Sequence, residues 1–264
     1  PALAAGNCVV LKPAEQTPAS ILHLISIIGD LLPDGVVNIV NGFGEEAGAA
    51  LSGSDRIAKV AFTGETTTGS TIMKAAADNL VPVTLELGGK SPAIIGHDAD
   101  LTRAAERIAF GKWLNAGQTC IAPDHVLIEA SRLGDFIEAM RKAVKTFYPR
   151  GTASEDYTAV LGSHQQAQLE TMLEEARDHG CRVIALGERL ELPRGGAKLP
   201  PTLVIDPHEG LSLMREEIFG PWLPIVGVRD LDAAIDHVNA GPRPLALYAF
   251  TDDPGQRQRL LETT

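Results

Sequence analysis

The 264-residue sequence has only 3 cysteines, 5% aromatic residues and no long uninterrupted apolar run. Cys8, Cys120 and Cys181 are too few and too scattered for a disulfide framework, and no Cys-x-x-Cys pair suggests zinc. A reducing, cytoplasmic setting without a metal site is therefore expected. The longest apolar stretch, residues 21–32, is interrupted by His23 and Asp30 and is too short to cross a bilayer, so no membrane span is expected. Positive charge is scarce: 23 Lys and Arg stand against 34 Asp and Glu, a net charge of −11. No basic block occurs, which excludes the electrostatic footprint of a nucleic-acid binder. Residues 1–10 carry neither a Met nor the basic start and cleavage site of a signal peptide, so the sequence is expected to open inside a longer pattern.

What is present is an alternation of short β-branched runs with amphipathic stretches. Residues 7–11, 36–40 and 60–63 read as strands, and 18–32 as a helix, with Thr17 as N-cap, Pro18 at its first position and a Pro33-Asp34-Gly35 turn behind it. Beyond Lys90, helices are expected at 101–115, 131–147, 164–179 and 230–239, and strands at 182–185, 202–205, 223–228 and 245–250. The Gly- and Pro-rich stretch 190–201 reads as a surface loop. Such alternation predicts an α/β fold with mostly parallel sheets covered on both faces.

Three segments can carry chemistry. In Asn115-Ala-Gly-Gln-Thr-Cys120 a cysteine follows a helix-like stretch within a Gly-containing loop, where a thiolate could reach a substrate; a small buried hydrophobe is the plainer alternative. In Thr84-Leu-Glu86-Leu87-Gly-Gly-Lys90 a carboxylate lies in an apolar strand ending at a Gly-Gly turn, where desolvation would raise its pKa toward general-base range. Exposure at the sheet edge, or pairing with Lys90, is the competing reading. Phe62-Thr63-Gly64-Glu65-Thr-Thr-Thr-Gly69 leaves a strand and opens a helix, the placement of a phosphate-approaching turn, although it is no Gly-x-Gly-x-x-Gly fingerprint. A plain strand-to-helix turn would look the same.

Together the Glu86 and Cys120 segments, 34 residues apart, resemble the glutamate and cysteine signatures of the aldehyde dehydrogenase superfamily in wording, order and spacing. The resemblance extends outward. Val10-Leu-Lys12-Pro-Ala-Glu15 looks like the family's adenosine-ribose segment, and Glu216-Glu217-Ile-Phe219-Gly-Pro221 like its second ribose-binding segment. Cys120-Ile-Ala-Pro-Asp124 and Arg243-Pro-Leu-Ala-Leu-Tyr-Ala-Phe250 look like the branch containing coniferyl-aldehyde and long-chain fatty-aldehyde dehydrogenases, the coniferyl type being the nearer.

By resemblance, Cys120 is the nucleophile and Glu86 the acid/base residue, with a small-molecule aldehyde as substrate. Lys12, Glu15, Thr63, Gly64, Glu65, Gly69, Leu87, Glu217 and Phe219 line the cofactor. The cofactor is NAD, because a Glu15 carboxylate on a ribose diol would repel a 2′-phosphate, with NADP left open. Residues 1–87 become the C-terminal part of a Rossmann-type NAD(P)-binding domain, and 88–264 an incomplete catalytic domain. The full-length protein is expected to be a homodimer. The sequence departs from the family at Glu65, where a small hydroxyl residue commonly meets the pyrophosphate. By the same resemblance, the family's Pro-Trp-Asn motif, whose asparagine is the second oxyanion donor, is expected to stand before Pro1. Two other readings stay open: a CoA-acylating relative in which Glu86 is dispensable, and a catalytically silent, protein-binding remnant.

Overall fold

A computed structural model describes residues 1–193 and 196–264. The backbone divides into two compact units, Pro1–Leu87 and Gly88–Thr264.

The first unit contains strands β1 (Val9–Leu11), β2 (Val37–Ile39), β3 (Val60–Gly64) and β4 (Val83–Leu87). Its helices are α1 (Ala19–Ile28), the single turn α2 (Ala49–Ser52) and α3 (Thr66–Ala77). β1 pairs in parallel with β2, and β3 with β4, in register Thr63 to Glu86 and Gly64 to Leu87. Helix α1 starts one residue later than its sequence suggests. Pro18 is its N-cap, already in right-handed helical conformation, so Thr17 makes no side-chain cap. At the other end a short 3-10 turn, Gly29–Leu31, completes the segment.

In the second unit β5 (Pro92–Ile95), β6 (His125–Glu129), β7 (Arg182–Ala185), β10 (Thr202–Ile205), β11 (Trp222–Val228) and β12 (Tyr248–Phe250) form one six-stranded sheet, ordered β12-β5-β6-β11-β10-β7. All its neighbours are parallel except β7 against β10. The mostly parallel α/β architecture foreseen in the alternating pattern is what forms. The loop expected over 190–201 contains a two-residue antiparallel pair, β8 (Leu190–Glu191) with β9 (Ala197–Lys198); Arg194 and Gly195 lie outside the described residues.

Helices cover both sheet faces, which explains strands with no polar alternation. Along β6, Val126 and Ile128 join a core with Ile108 of α4 (Leu101–Trp113) and Phe136 and Met140 of α5 (Leu133–Phe147). Leu127, between them, points to the other side, against Ile235 of α8 (Leu231–Ala240) and Leu260 of α9 (Pro254–Thr263). Helix α6 (Ser163–Asp178) and the short α7 (Ser212–Arg215) build a further cluster around Trp222. Asp100 and Asp230 start α4 and α8 by accepting hydrogen bonds from backbone N–H groups of the first turn. Among the described residues no helix is long and apolar enough to cross a membrane, and no group of three or more His, Cys, Asp or Glu could hold a metal ion.

Candidate active site

The expected site residues fall into both units, and each half has its own construction. In the first unit the functional positions sit at strand ends. Beyond β1, Lys12 donates to the Glu15 carboxylate at 3.1 Å and to the Pro13 carbonyl at 2.9 Å. Glu15 is held below the ordinary carboxylate pKa, first by its own backbone amide and then by the Lys12 ammonium.

Thr63 and Gly64, the last residues of β3, and Glu65 just beyond it are exposed. Helix α3 begins there with Glu65 as N-cap, and no side chain caps it. The Phe62 ring lies over Gly64, where an added Cβ would stand 2.5 Å from its Cζ. Gly69 serves packing: it is buried, and a Cβ there would meet Leu87 Cδ2 at 2.7 Å, so its absence lets α3 close onto β4. Glu86 departs from expectation. Along β4, residues 83, 85 and 87 are half-buried while Thr84 and Glu86 are exposed, so the desolvation expected for Glu86 is missing. The apolar letters around it belong to the opposite face of an alternating strand.

In the second unit the thiol stands on a tight turn. Helix α4 ends at Trp113, two residues earlier than expected, because Asn115, Ala116 and Gly117 take left-handed conformations in succession, with φ of 54°, 53° and 80°. Gln118 holds this reversal in place. Its amide donates to Asn115 O at 2.9 Å and Ala159 O at 3.1 Å, and its side-chain oxygen accepts from Leu161 N at 2.8 Å. Cys120 and Ile121 are then the central residues of a turn closed by Ala122 N to Thr119 O at 2.9 Å. The Cys120 N–H has no acceptor among the described residues, and the thiol is half-exposed.

Glu217 is placed by glycine. A Cβ on Gly88 would fall 1.7 Å from Glu217 Oε2, so the carboxylate rests directly on the Gly88 backbone. Burial raises its pKa, against a hydrogen bond from Gly89 that lowers it. The supporting frame is a buried ion pair, Lys90 with Asp124, whose side chains are 9% and 4% exposed. Lys90 donates further to Leu213 O at 2.9 Å and Glu216 O at 2.8 Å, while Asp124 Oδ1 accepts from Ile218 N at 3.0 Å. Phe219 has a positive φ of 46° and leaves its ring partly exposed. The next residue closes the arrangement: a Cβ on Gly117 would meet Gly220 O at 2.2 Å, so the cysteine loop and the Glu217–Phe219 segment are in backbone contact.

The sequence assigned no role to three residues at this end of the sheet. Lys112, 1% exposed, has its pKa pushed down to about 8, first by burial, against the pull of Asp124. Ser91, fully buried, accepts from Asp124 N at 2.8 Å through its carbonyl and from Ala246 N at 3.3 Å through its hydroxyl. The Tyr248 hydroxyl donates to the Ile121 carbonyl.

The sequence model of the aldehyde dehydrogenase family matches residues 1–264. The chain belongs to this family. It is 43% identical over 263 residues to a probable coniferyl aldehyde dehydrogenase of Pseudomonas aeruginosa, covering 100% of this chain and 54% of that protein. The substrate-bound state of Staphylococcus aureus AldH superimposes with a TM-score of 0.90 at 35% identity, over 98% of this chain and 55% of that one. Aldehyde dehydrogenase C of Pseudomonas syringae, a mutant complexed with NAD+ and octanal, gives 0.90 at 28% identity, over 99% and 55%. The chain thus spans about half the length of the curated aldehyde dehydrogenases it matches.

Proposed function

We propose that this protein oxidises an aldehyde, aromatic of the coniferyl type or long-chain aliphatic, to the carboxylic acid with NAD, NADP being the alternative. The observation that carries the reading is Cys120 on a closed turn whose own N–H meets no acceptor among the described residues, in a loop that is in backbone contact with the segment that bears Glu217. The likeness to a probable coniferyl aldehyde dehydrogenase, and to a relative solved with NAD+ and octanal, supports it.

A nicotinamide cofactor fits the residues present. Lys12 and Glu15 offer a donor and an acceptor for ribose hydroxyls past the end of β1, and α3 presents an uncapped N-terminus beside Thr63 and Gly64. Leu87 and Gly69 hold that helix against its strand, while Glu217 would take the nicotinamide ribose and Phe219 pack beside the ring. Glu65 and the Phe62 ring narrow the phosphate turn. When bound, the cofactor supplies the acceptor for the hydride that the substrate carbon gives up.

The Cys120 thiolate attacks the aldehyde carbon, forming a C–S bond while the carbonyl π electrons move to oxygen. The Cys120 N–H donates to that oxyanion; one such donor is worth on the order of a hundredfold or more in rate. Collapse of the tetrahedral adduct, with its hydride given up to the bound nicotinamide cofactor, would leave a thioester on Sγ. Glu86 then takes a proton from water, whose oxygen attacks the thioester, releasing the acid and the thiolate. Residues 1–87 supply the cofactor-binding surface and 88–264 the nucleophile, in a protein we expect to be cytoplasmic and, at full length, a homodimer.

Formation of NADH, followed by absorbance with a coniferyl-type and a long-chain aliphatic aldehyde, tests this. Cys120→Ala should abolish turnover, and Glu86→Gln should slow the steady state while sparing the first-turnover burst. Equal loss of burst and steady state would remove Glu86 from the hydrolytic step, and product transfer to CoA would move the reading to the acylating type. The negative charge of Glu65 at the α3 N-terminus favours one second reading, a catalytically silent protein, which failure to bind either nicotinamide cofactor in calorimetry would support.

A further inference from the structure

Tyr248 lies 128 residues after Cys120, on edge strand β12, where it pairs across the sheet with Ala93 of β5. Its hydroxyl crosses to the nucleophile turn and donates to the carbonyl of Ile121. That turn has few other ties. Ala122 N to Thr119 O at 2.9 Å closes it, Gln118 anchors the chain on one side, and Asp124 N to Ser91 O at 2.8 Å anchors it on the other. Between those anchors, at Cys120 and Ile121, the Tyr248 hydroxyl is the one side-chain hydrogen bond among the described residues. The Ile121 side chain is itself 48% exposed and gives the turn little packing.

We propose that Tyr248 is a positioning residue for the nucleophile, fixing through the Ile121 carbonyl the Ile121–Ala122 peptide of the turn and so the direction of the thiol and of the Cys120 N–H. The assignment rests on the reading of Cys120 as nucleophile. It needs the phenol to stay protonated as a donor. Burial raises the Tyr248 pKa, and the neighbouring Cys120 charge raises it further, so the O–H persists through the pH range in which a thiolate forms. The same strand's approach fixes the site a second time: Ala246 N donates to Ser91 Oγ at 3.3 Å, tying the segment before β12 to the Lys90 turn.

Tyr248→Phe keeps the ring and removes the bond. A hydrogen bond of this kind corresponds to roughly a fivefold change in an equilibrium or rate constant. The expected result is a fall in kcat of about fivefold with KM for aldehyde little changed, since the loss is in alignment and not in substrate contact. A readout independent of turnover is alkylation by iodoacetamide, followed by mass spectrometry at each cysteine. In Tyr248→Phe the rate at Cys120 should change at least about threefold relative to exposed Cys8 in the same sample. Tyr157→Phe is the control, because it removes a tyrosine bond to a carbonyl elsewhere, Leu199 O at 2.7 Å, and should leave the Cys120 to Cys8 ratio unchanged. An unchanged ratio and unchanged kcat in Tyr248→Phe would overturn the proposal, as would an equal shift in Tyr157→Phe, which would mark a general loosening. Retention of turnover by Cys120→Ala would instead defeat the nucleophile reading, while the alkylation ratio would still report whether Tyr248 holds the turn.

Discussion

Replacing Lys90 by Met should unsettle the whole Glu217 segment. The Lys90 ammonium serves three acceptors: the Asp124 carboxylate and the carbonyls of Leu213 and Glu216. Removing it leaves Asp124, 4% exposed, with a single named donor, Ile218 N at 3.0 Å. A buried pair that loses one member costs about 3–5 kcal/mol, mostly the burial of an uncompensated charge. Against a total stability of about 5–15 kcal/mol that is a large fraction. With a urea slope near 3 kcal/mol per M, the unfolding midpoint should fall by about 1–2 M. Both tryptophans, Trp113 and Trp222, lie in residues 88–264, so their fluorescence follows this unit alone. The double variant Lys90→Met, Asp124→Leu removes both charges and should recover most of the loss. A single-variant shift below about 0.3 M, or a double variant no better than the sum of its singles, would refute the account of the pair as the frame of the site.

Three further outcomes follow from the same geometry. Gly88→Ala puts a Cβ 1.7 Å from Glu217 Oε2, so the carboxylate must swing away; the KM for NAD should rise by roughly tenfold, with little change in melting temperature because a flexible side chain yields. Burial raises the Glu217 pKa above 4.5, so the folded state holds its proton more tightly than the unfolded one; that stabilisation is present below 4.5 and lost as pH rises through the raised value. Glu217→Gln should therefore melt higher than the parent at pH 7 and level with it near pH 4, and parallel curves would contradict the shift. His125 is buried with neither ring nitrogen partnered among the described residues, and burial depresses its pKa from 6.5 to about 3. Its cost appears as pH falls from 6.5 toward 3, so His125→Leu should flatten acid denaturation across that window in circular dichroism.

The parts of the fold legible in the sequence were those with period. Helices α4, α5, α6 and α8 bury one stripe each, and their spacing announced them. Strands β5 and β6, both interior to the sheet, escaped notice because they are buried on both faces: Pro92–Ile95 and His125–Ile128 offer no polar alternation, and one opens on proline, the other on histidine. At the site, Cys120, Glu217 and Phe219 could be named through family likeness in contiguous words. Tyr248, Ser91 and Lys112 could not, because what they do depends on contacts between distant segments. Glu86 shows the converse limit: an apolar run around a carboxylate suggests burial only until strand geometry turns alternate side chains outward.

The approach of Gly117 to the Gly220 carbonyl makes two loops far apart in sequence behave as one machined part. Neither can be re-cut alone. Exchanging residues 114–120 with a homologous loop would also drag the shelf on which Glu217 and Phe219 stand. Loop grafts into this scaffold should therefore move both segments as a set, keeping glycine at both junctions.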